Sequence, residues 1–205
     1  MNFDLAKFGT IYTFVDFGNV NKWFDKDVWD TNGEKLTSTE KLIVDIEKLA
    51  NFINQFSVRK FFYYGFDQKR RNSLYIQNLA RNKGFKTITK PIQWIKNRYE
   101  DTLIPKCNFD VEICLDIVRL IHRYDTICIF TSDNDFCALL EYIHKIGRKI
   151  ILISRRPIRR SLKEQANIFI NANEIKKFIC KKKDLAVARS GNRARILESG
   201  SETTT

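Results

Sequence analysis

The sequence predicts an α/β fold: a three-layer α/β/α sandwich around a central, mostly parallel five-stranded sheet. Three observations point there. Short β-rich apolar runs alternate along the chain with amphipathic helical stretches, the pattern of strands joined by crossover helices. Two of those runs, 10–15 and 125–130, are largely apolar rather than alternating, as strands covered on both faces are. Both run into acids, Asp16 and Asp133, where a strand turns toward a helix, and open α/β sheets build their sites at that edge.

Taken in order, residues 10–15 form the first strand, and Asp16 closes it. Phe17-Gly18-Asn19 then breaks the strand with a turn that Gly18 permits. Residues 20–38 make a long connection carrying Trp23, Phe24 and Trp29, and connections of that length are often functional. Thr39 is the predicted cap of an amphipathic helix marked by Leu42, Ile43, Ile46, Leu49, Ala50 and Ile53. Residues 58–66, centred on Phe61-Phe62-Tyr63-Tyr64, are the second strand. A helix over 67–83 follows and stops at Gly84. Residues 85–89 alternate as a third strand closed by Pro91, and 92–108 read as irregular. Asp110 opens a helix to about Tyr124, with Val111, Cys114, Leu115, Val118 and Ile121 as its apolar face. Residues 125–130 are the fourth strand, and the turn 131–136 leads into a helix ended by Gly147. Residues 149–153 are the fifth strand, and 161–166 a short helix. Ile168-Phe169-Ile170 is either an edge strand or a docking segment, and 171–180 is the last helix. From Lys181 the periodicity is lost. Residues 1–182 therefore read as one domain and 183–205 as a basic, then polar, disordered tail.

The chain of 205 residues is long enough for a substantial core, and 16 Phe supply much of it. Its 36 Lys and Arg against 24 Asp and Glu leave a net charge of +12, which suits a polyanionic partner such as nucleic acid. The five cysteines form no CxxC pair, and an odd number suits a reducing compartment. No zinc-ligand spacing is present. The first residues do not read as a signal peptide, and no apolar run approaches a bilayer span. A cytoplasmic protein without a membrane partner is expected, with homo-oligomerisation left open.

The chemistry lies in the acids. Asp16, Asp110, Asp133 and Asp135 each fall at a strand end or a helix start. If the first and fourth strands are neighbours, Asp16 and Asp133 meet across the carboxyl edge. Packed carboxylates repel and raise one another's pKa unless a cation intervenes. Clustered Asp oxygens suit Mg²⁺ or Mn²⁺, hard ions that can activate water and stabilise charge on a phosphoryl group. Each acid alone could be a plain cap or turn former. Asn19 could orient a carboxylate, contact a phosphate or simply make the turn. Asp116 shares a stripe with Glu112, Arg119 and Arg123, so it either serves the site or pairs on a wet face. His122 and His144 lie in helices and form no ribonuclease-type pair.

Three basic clusters fall on the side of the acids: Lys69, Arg70 and Arg71; Lys96, Arg98 and Lys106; and Arg155, Arg156, Arg159 and Arg160. A basic rim around an acidic pit draws phosphates in, and Arg grips them through its bidentate fork. Trp23, Trp29, Trp94 and Tyr99 are either base-stacking platforms or packing for the loops. Residues 176–183 and the tail could add nonspecific attraction.

Val15-Asp16-Phe17-Gly18-Asn19, Asp110-Val111-Glu112-Ile113-Cys114-Leu115-Asp116 and Thr131-Ser132-Asp133-Asn134-Asp135-Phe136 resemble the three motifs of NYN-domain proteins, PIN-like metal-dependent ribonucleases. The resemblance covers roughly residues 10–175. Asp16, Asp110, Asp133 and Asp135 match its acidic positions, and Asn19 and Asp116 match recurring ones. Before Asp110, Lys106-Cys107-Asn108-Phe109 departs from the family's Lys-Gly-x pattern. In the third motif, Ser132 and Asn134 stand where Gly is frequent. The resemblance implies strand order 3-2-1-4-5, which sets strands one and four side by side. It also implies a Mg²⁺- or Mn²⁺-dependent ribonuclease, endonucleolytic on single-stranded RNA or structured loops, leaving a 3′-hydroxyl and a 5′-phosphate. The alternative is a non-catalytic RNA-binding or adaptor module on the same fold. Phosphotransfer domains of similar shape are disfavoured: no second Asp follows Asp16 two residues on, and no GxxxxGK loop is present.

Overall fold

The computed structural model describes residues 5–96, 102–155 and 157–185. After a 3₁₀ turn at Leu5–Phe8, β1 (Ile11–Asp16) runs into the one-turn helix α1 (Phe17–Val20). Then come β2 (Glu40–Val44), α2 (Ile46–Asn54), β3 (Arg59–Phe66), α3 (Arg71–Asn82) and β4 (Lys86–Pro91). A short ribbon, β5 (Gln93–Lys96) and β6 (Leu103–Lys106), leads to α4 (Asp110–Arg119) and β7 (Thr126–Phe130). A 3₁₀ turn (Asn134–Phe136), α5 (Cys137–Lys145), β8 (Lys149–Ser154), α6 (Arg160–Glu164) and β9 (Ile168–Asn171) follow. The described chain closes with α7 (Ala172–Ile179) and β10 (Cys180–Asp184).

The central sheet has the order β4-β3-β1-β7-β8-β9, and every pairing in it is parallel. This is the expected order with one strand more: Ile168-Phe169-Ile170 becomes the sixth strand, at the edge. Alternation along the strands sorts the core into two layers. Val15, Phe62, Phe130 and Ile153 face Leu49 and Ile53 of α2 and Ile175 and Ile179 of α7. Phe14, Phe61, Ile129 and Leu152 face Ile113 and Ile117 of α4 and Leu140 and Ile143 of α5. The central strands are thus covered on both faces, which is why their sequences are largely apolar.

Four expectations are corrected. Thr39 does not cap a helix. Residues 40–44 are β2, with Leu42 and Val44 buried, and Asp45 caps α2 by accepting from the Lys48 amide at 2.9 Å. The partner of β2 is β10, paired antiparallel, so the lysine run continues as strand to Asp184 instead of turning to tail after 182. Its charges are spent there: Lys181 pairs with Asp45 at 2.5 Å and Lys182 with Glu40 at 3.1 Å. Residues 92–108 are not simply irregular but form the β5–β6 ribbon. Phe17-Gly18-Asn19 is the first turn of α1, with Asp16 as its N-cap. Two helices are also shorter than expected: α3 starts at Arg71 and α4 ends at Arg119, with the Tyr124 hydroxyl donating back to the Ile117 carbonyl at 2.9 Å. Residues 186–205 of the expected tail lie outside the described residues. Among the described residues no helix is long and apolar enough to cross a membrane.

Candidate active site at the carboxyl edge of the sheet

β1 and β7 are neighbours, with Val15 opposite Phe130, so the segments that leave them start side by side. Asp16 closes β1 and turns its carboxylate back to accept the Asn19 amide at 3.3 Å. Beyond β7, the Thr131 hydroxyl accepts the Asp133 amide at 3.1 Å, and Asp133 Oδ1 accepts the Asp135 amide at 3.0 Å. Asp133 is thereby the cap of a tight turn that presents two acids two residues apart. From the other side comes Asp110, the first residue of α4. Asn108 grips it twice, accepting its backbone amide at 2.7 Å and donating Nδ2 to its carboxylate at 2.6 Å. Gly65 lets this approach close on the sheet: a Cβ there would meet Cys107 Sγ at 2.7 Å.

The result is a trio. Carboxylate oxygens of Asp110, Asp133 and Asp135 lie within 4.8 Å of one another. Asp16 is not within that trio but borders it. Its pKa is pushed up to about 6, by burial first and then by the charges of Asp110 and Asp133, while the Asn19 amide pulls it down. Burial, again helped by neighbouring acids, also raises the Asp110 carboxyl, against the pull of Asn108. None of the four forms an ion pair among the described residues. A hard divalent cation fits such a donor set: oxygen ligands only, convergent, and mutually repelling without it.

Asn19 is held by two donors. Its Oδ1 accepts Trp23 Nε1 at 2.8 Å and the Ser132 amide at 3.1 Å, which bridges the β1 and β7 ends. With the carbonyl occupied, its NH₂ is the group left to offer. Asp116 is not brought to the trio: it accepts the buried Tyr63 hydroxyl at 2.8 Å. Burial and that carboxylate keep the phenol protonated.

The expected RNA contacts divide. Lys69, Lys106 and Arg159 are exposed on this side. Arg70 pairs with Asp67 at 3.1 Å and lies over Trp94 at 5.9 Å, and Arg160 pairs with Glu164 at 2.5 Å. Arg155 turns onto the 20–39 connection, pairing with Asp27 and lying 5.0 Å from the Phe24 ring centroid. Trp23 is no open platform: it is 5% exposed and stacks on Phe130. Trp29 and Trp94 are exposed, whereas Arg98, Tyr99 and Arg156 lie outside the described residues. Sequence reasoning missed Asn108, Trp23 as the holder of Asn19, and Asp27, which also takes Lys176 at 2.9 Å. An Asn two residues before a helix-opening Asp was a signal for the first; nothing local signals the other two.

Fold and acid cluster together define a PIN-like α/β domain. The chain belongs to the NYN domain family, whose model matches residues 10–176. NYN domains are RNA-related and generally nucleases, typically dependent on divalent metal. The chain is 31% identical over 84 residues to the low amplitude and bright protein LabA of Synechococcus elongatus. That match covers 40% of this chain and 43% of LabA, so the chain spans less than half the length of that relative. Among solved structures, a protein of unknown function from Vibrio parahaemolyticus shares the fold, with a TM-score of 0.63 at 19% identity over 88% of this chain and all of that one.

Proposed function

We propose that the protein is a Mg²⁺- or Mn²⁺-dependent ribonuclease that cleaves single-stranded RNA endonucleolytically. The observation that carries this reading is the convergence of the Asp110, Asp133 and Asp135 carboxylates within 4.8 Å with no cation paired to them among the described residues. Those three would hold the ion, with Asp16 at its border. When bound, the ion supplies Lewis acidity and an activated water. The chain's own residues do the rest. Asn108 and the Thr131 hydroxyl fix two of the acids in place. The Asn19 NH₂ donates to a phosphate oxygen, its carbonyl being tied to Trp23 and Ser132. Lys69, Lys106, Arg159 and the less committed Arg70 and Arg160 draw the strand to the rim. Arg155 fastens the connection that carries Trp23.

The test is cleavage of a labelled single-stranded RNA by wild type and Asp133→Asn, with Mn²⁺ or Mg²⁺ and then with chelator. Cleavage that needs both the metal and Asp133 is expected. Activity that survives chelation and the substitution would sink the assignment. Tight, salt-sensitive binding without cleavage of any RNA would move the protein to the adaptor reading.

A further inference from the structure

At the amino edge of the sheet, the end opposite the acids, a cavity of about 270 Å³ opens where β3 and β4 begin. Arg59, Lys60 and Lys86 line it, with Asn54 and Gly84, and no carboxylate does so among the described residues. Each cation lies over a ring. Arg59 is 5.9 Å from the Tyr12 centroid, Lys60 5.2 Å from Phe85 and Lys86 5.5 Å from Phe61. Tyr12 and Phe61 belong to one core layer and Phe85 to the other, so the three side chains are anchored on both faces of the sheet at this edge. A cation–π contact holds a side chain without neutralising it.

What sets these cations apart is a shared cavity without an acid, whereas several others are answered within the chain. Lys90, Lys176, Lys181, Lys182 and Arg155 all have a carboxylate partner. Arg59, Lys60 and Lys86 form no ion pair among the described residues. Lys60 donates to the neutral Asn54 side chain instead, and burial lowers its pKa with no acid to oppose that.

We propose that this cavity binds phosphate, either of a free nucleotide or of a nucleotide chain, at a site separate from the acidic edge. Its volume is just below the range of ligand pockets, roughly 300–1,000 Å³, and leaves room for a short run of phosphates. Two ammoniums and one guanidinium supply charge-assisted hydrogen bonds in the number a phosphate accepts. β3 spans Arg59–Phe66, so at about 3.3 Å per residue the cavity lies roughly 20 Å from the carboxyl edge. An occupant leaves the acids open. The inference does not rest on nuclease activity.

The experiment is calorimetric titration of the full chain with inorganic tripolyphosphate, in chelator so that nothing is cleaved. The triple variant Arg59→Gln, Lys60→Gln, Lys86→Gln is compared with a charge-matched control, Arg119→Gln, Arg123→Gln, Lys163→Gln. One tripolyphosphate per chain is expected, weakened about tenfold or more in the triple variant and changed less than about twofold in the control. The single Lys86→Glu, at an exposed position, gives the same direction with little risk to the fold. ADP displacing tripolyphosphate while an RNA oligomer does not assigns the site to a free nucleotide; displacement by the oligomer assigns it to a chain. Equal weakening in triple variant and control would reduce the effect to the protein's overall positive field and overturn the proposal. So would the absence of any tripolyphosphate binding by the wild type.

Discussion

One aspartate, Asp27, and a trio of aspartates at the carboxyl edge are treated oppositely by the fold. Asp27, on the connection after α1, is closed on both oxygens, by Arg155 and by Lys176. Asp110, Asp133 and Asp135 point their oxygens at one another with no such partner among the described residues. The chain does not lack cations to supply one, since Arg155 leaves β8 within hydrogen-bond reach of Ser132, next to Asp133: its backbone amide donates to the Ser132 hydroxyl at 3.2 Å. Its guanidinium is spent on Asp27 instead. An acid whose charge is answered within the chain is a fastening. An acid whose charge is left open is held ready for something that comes from outside, at a cost in stability that the fastening offsets.

The largest effect expected from breaking this contrast is on cleavage. Asp133→Asn or Asp110→Asn should lower the metal-dependent rate by about 10²–10³-fold, the scale for losing one electrostatic stabiliser of a transition state. Thermal stability in chelator should not fall. A variant that keeps its rate, or loses it only by unfolding, would erase the distinction between the two groups.

Asp27→Ala is the converse. Removing it strands two partly buried cations, and chemical denaturation should show a loss of about 2–4 kcal/mol, somewhat under the range for a broken buried pair. Lys176→Met together with Arg155→Met should recover part of that loss, because no charge is then left unpaired.

Asp16 sharpens the contrast by pH. Its folded pKa, about 6, lies above the ordinary value of 3.8, so the fold prefers the protonated carboxyl. In chelator, this group's stabilising influence is full below pH 3.8 and is lost as pH rises through 6. The total is on the order of 2–3 kcal/mol. Asp16→Asn should flatten that part of the stability profile and be the more stable protein at neutral pH. Added Mn²⁺ should stabilise wild type and do less for the variant.

The smallest effect concerns Asn19. Trp23→Phe keeps the packing on Phe130 but removes the indole donor, so cleavage should fall by about tenfold while stability changes by roughly 1 kcal/mol. A rate unchanged by Trp23→Phe would show that the Ser132 amide suffices to orient Asn19.

What the sequence disclosed follows the range of the forces involved. The carboxylates were legible because a strand end or helix start can be read from a few neighbours. The central parallel strands were legible because burial on both faces leaves a largely apolar run, and the edge strand β4 because its residues alternate. β2 was misread because Glu40–Val44 is a strand only by virtue of Cys180–Asp184, a partner far along the chain, and the earlier Thr37-Ser38-Thr39 offers caps as plausible as the true one, Asp45. The places of Trp23 and Arg155 could not be read locally for a related reason. An aromatic or a cation near a site looks the same in sequence whether it faces a ligand or a neighbour. Only tertiary contact separates the Trp23 that orients Asn19 from the exposed Trp94.

The pairing of β2 with β10 also bears on when the protein becomes competent. The ladder joins Glu40 to Asp184, and Lys176, just before it, completes the closure on Asp27. Contacts so distant in sequence carry a loop-closure penalty that must be met before they return any stability, and they form late. During synthesis the acids of β1 and α4 and the turn after β7 emerge well before the strand that secures the connection carrying Trp23, which holds Asn19. The order of emergence thus delays the finished site until nearly all of the described chain has been made.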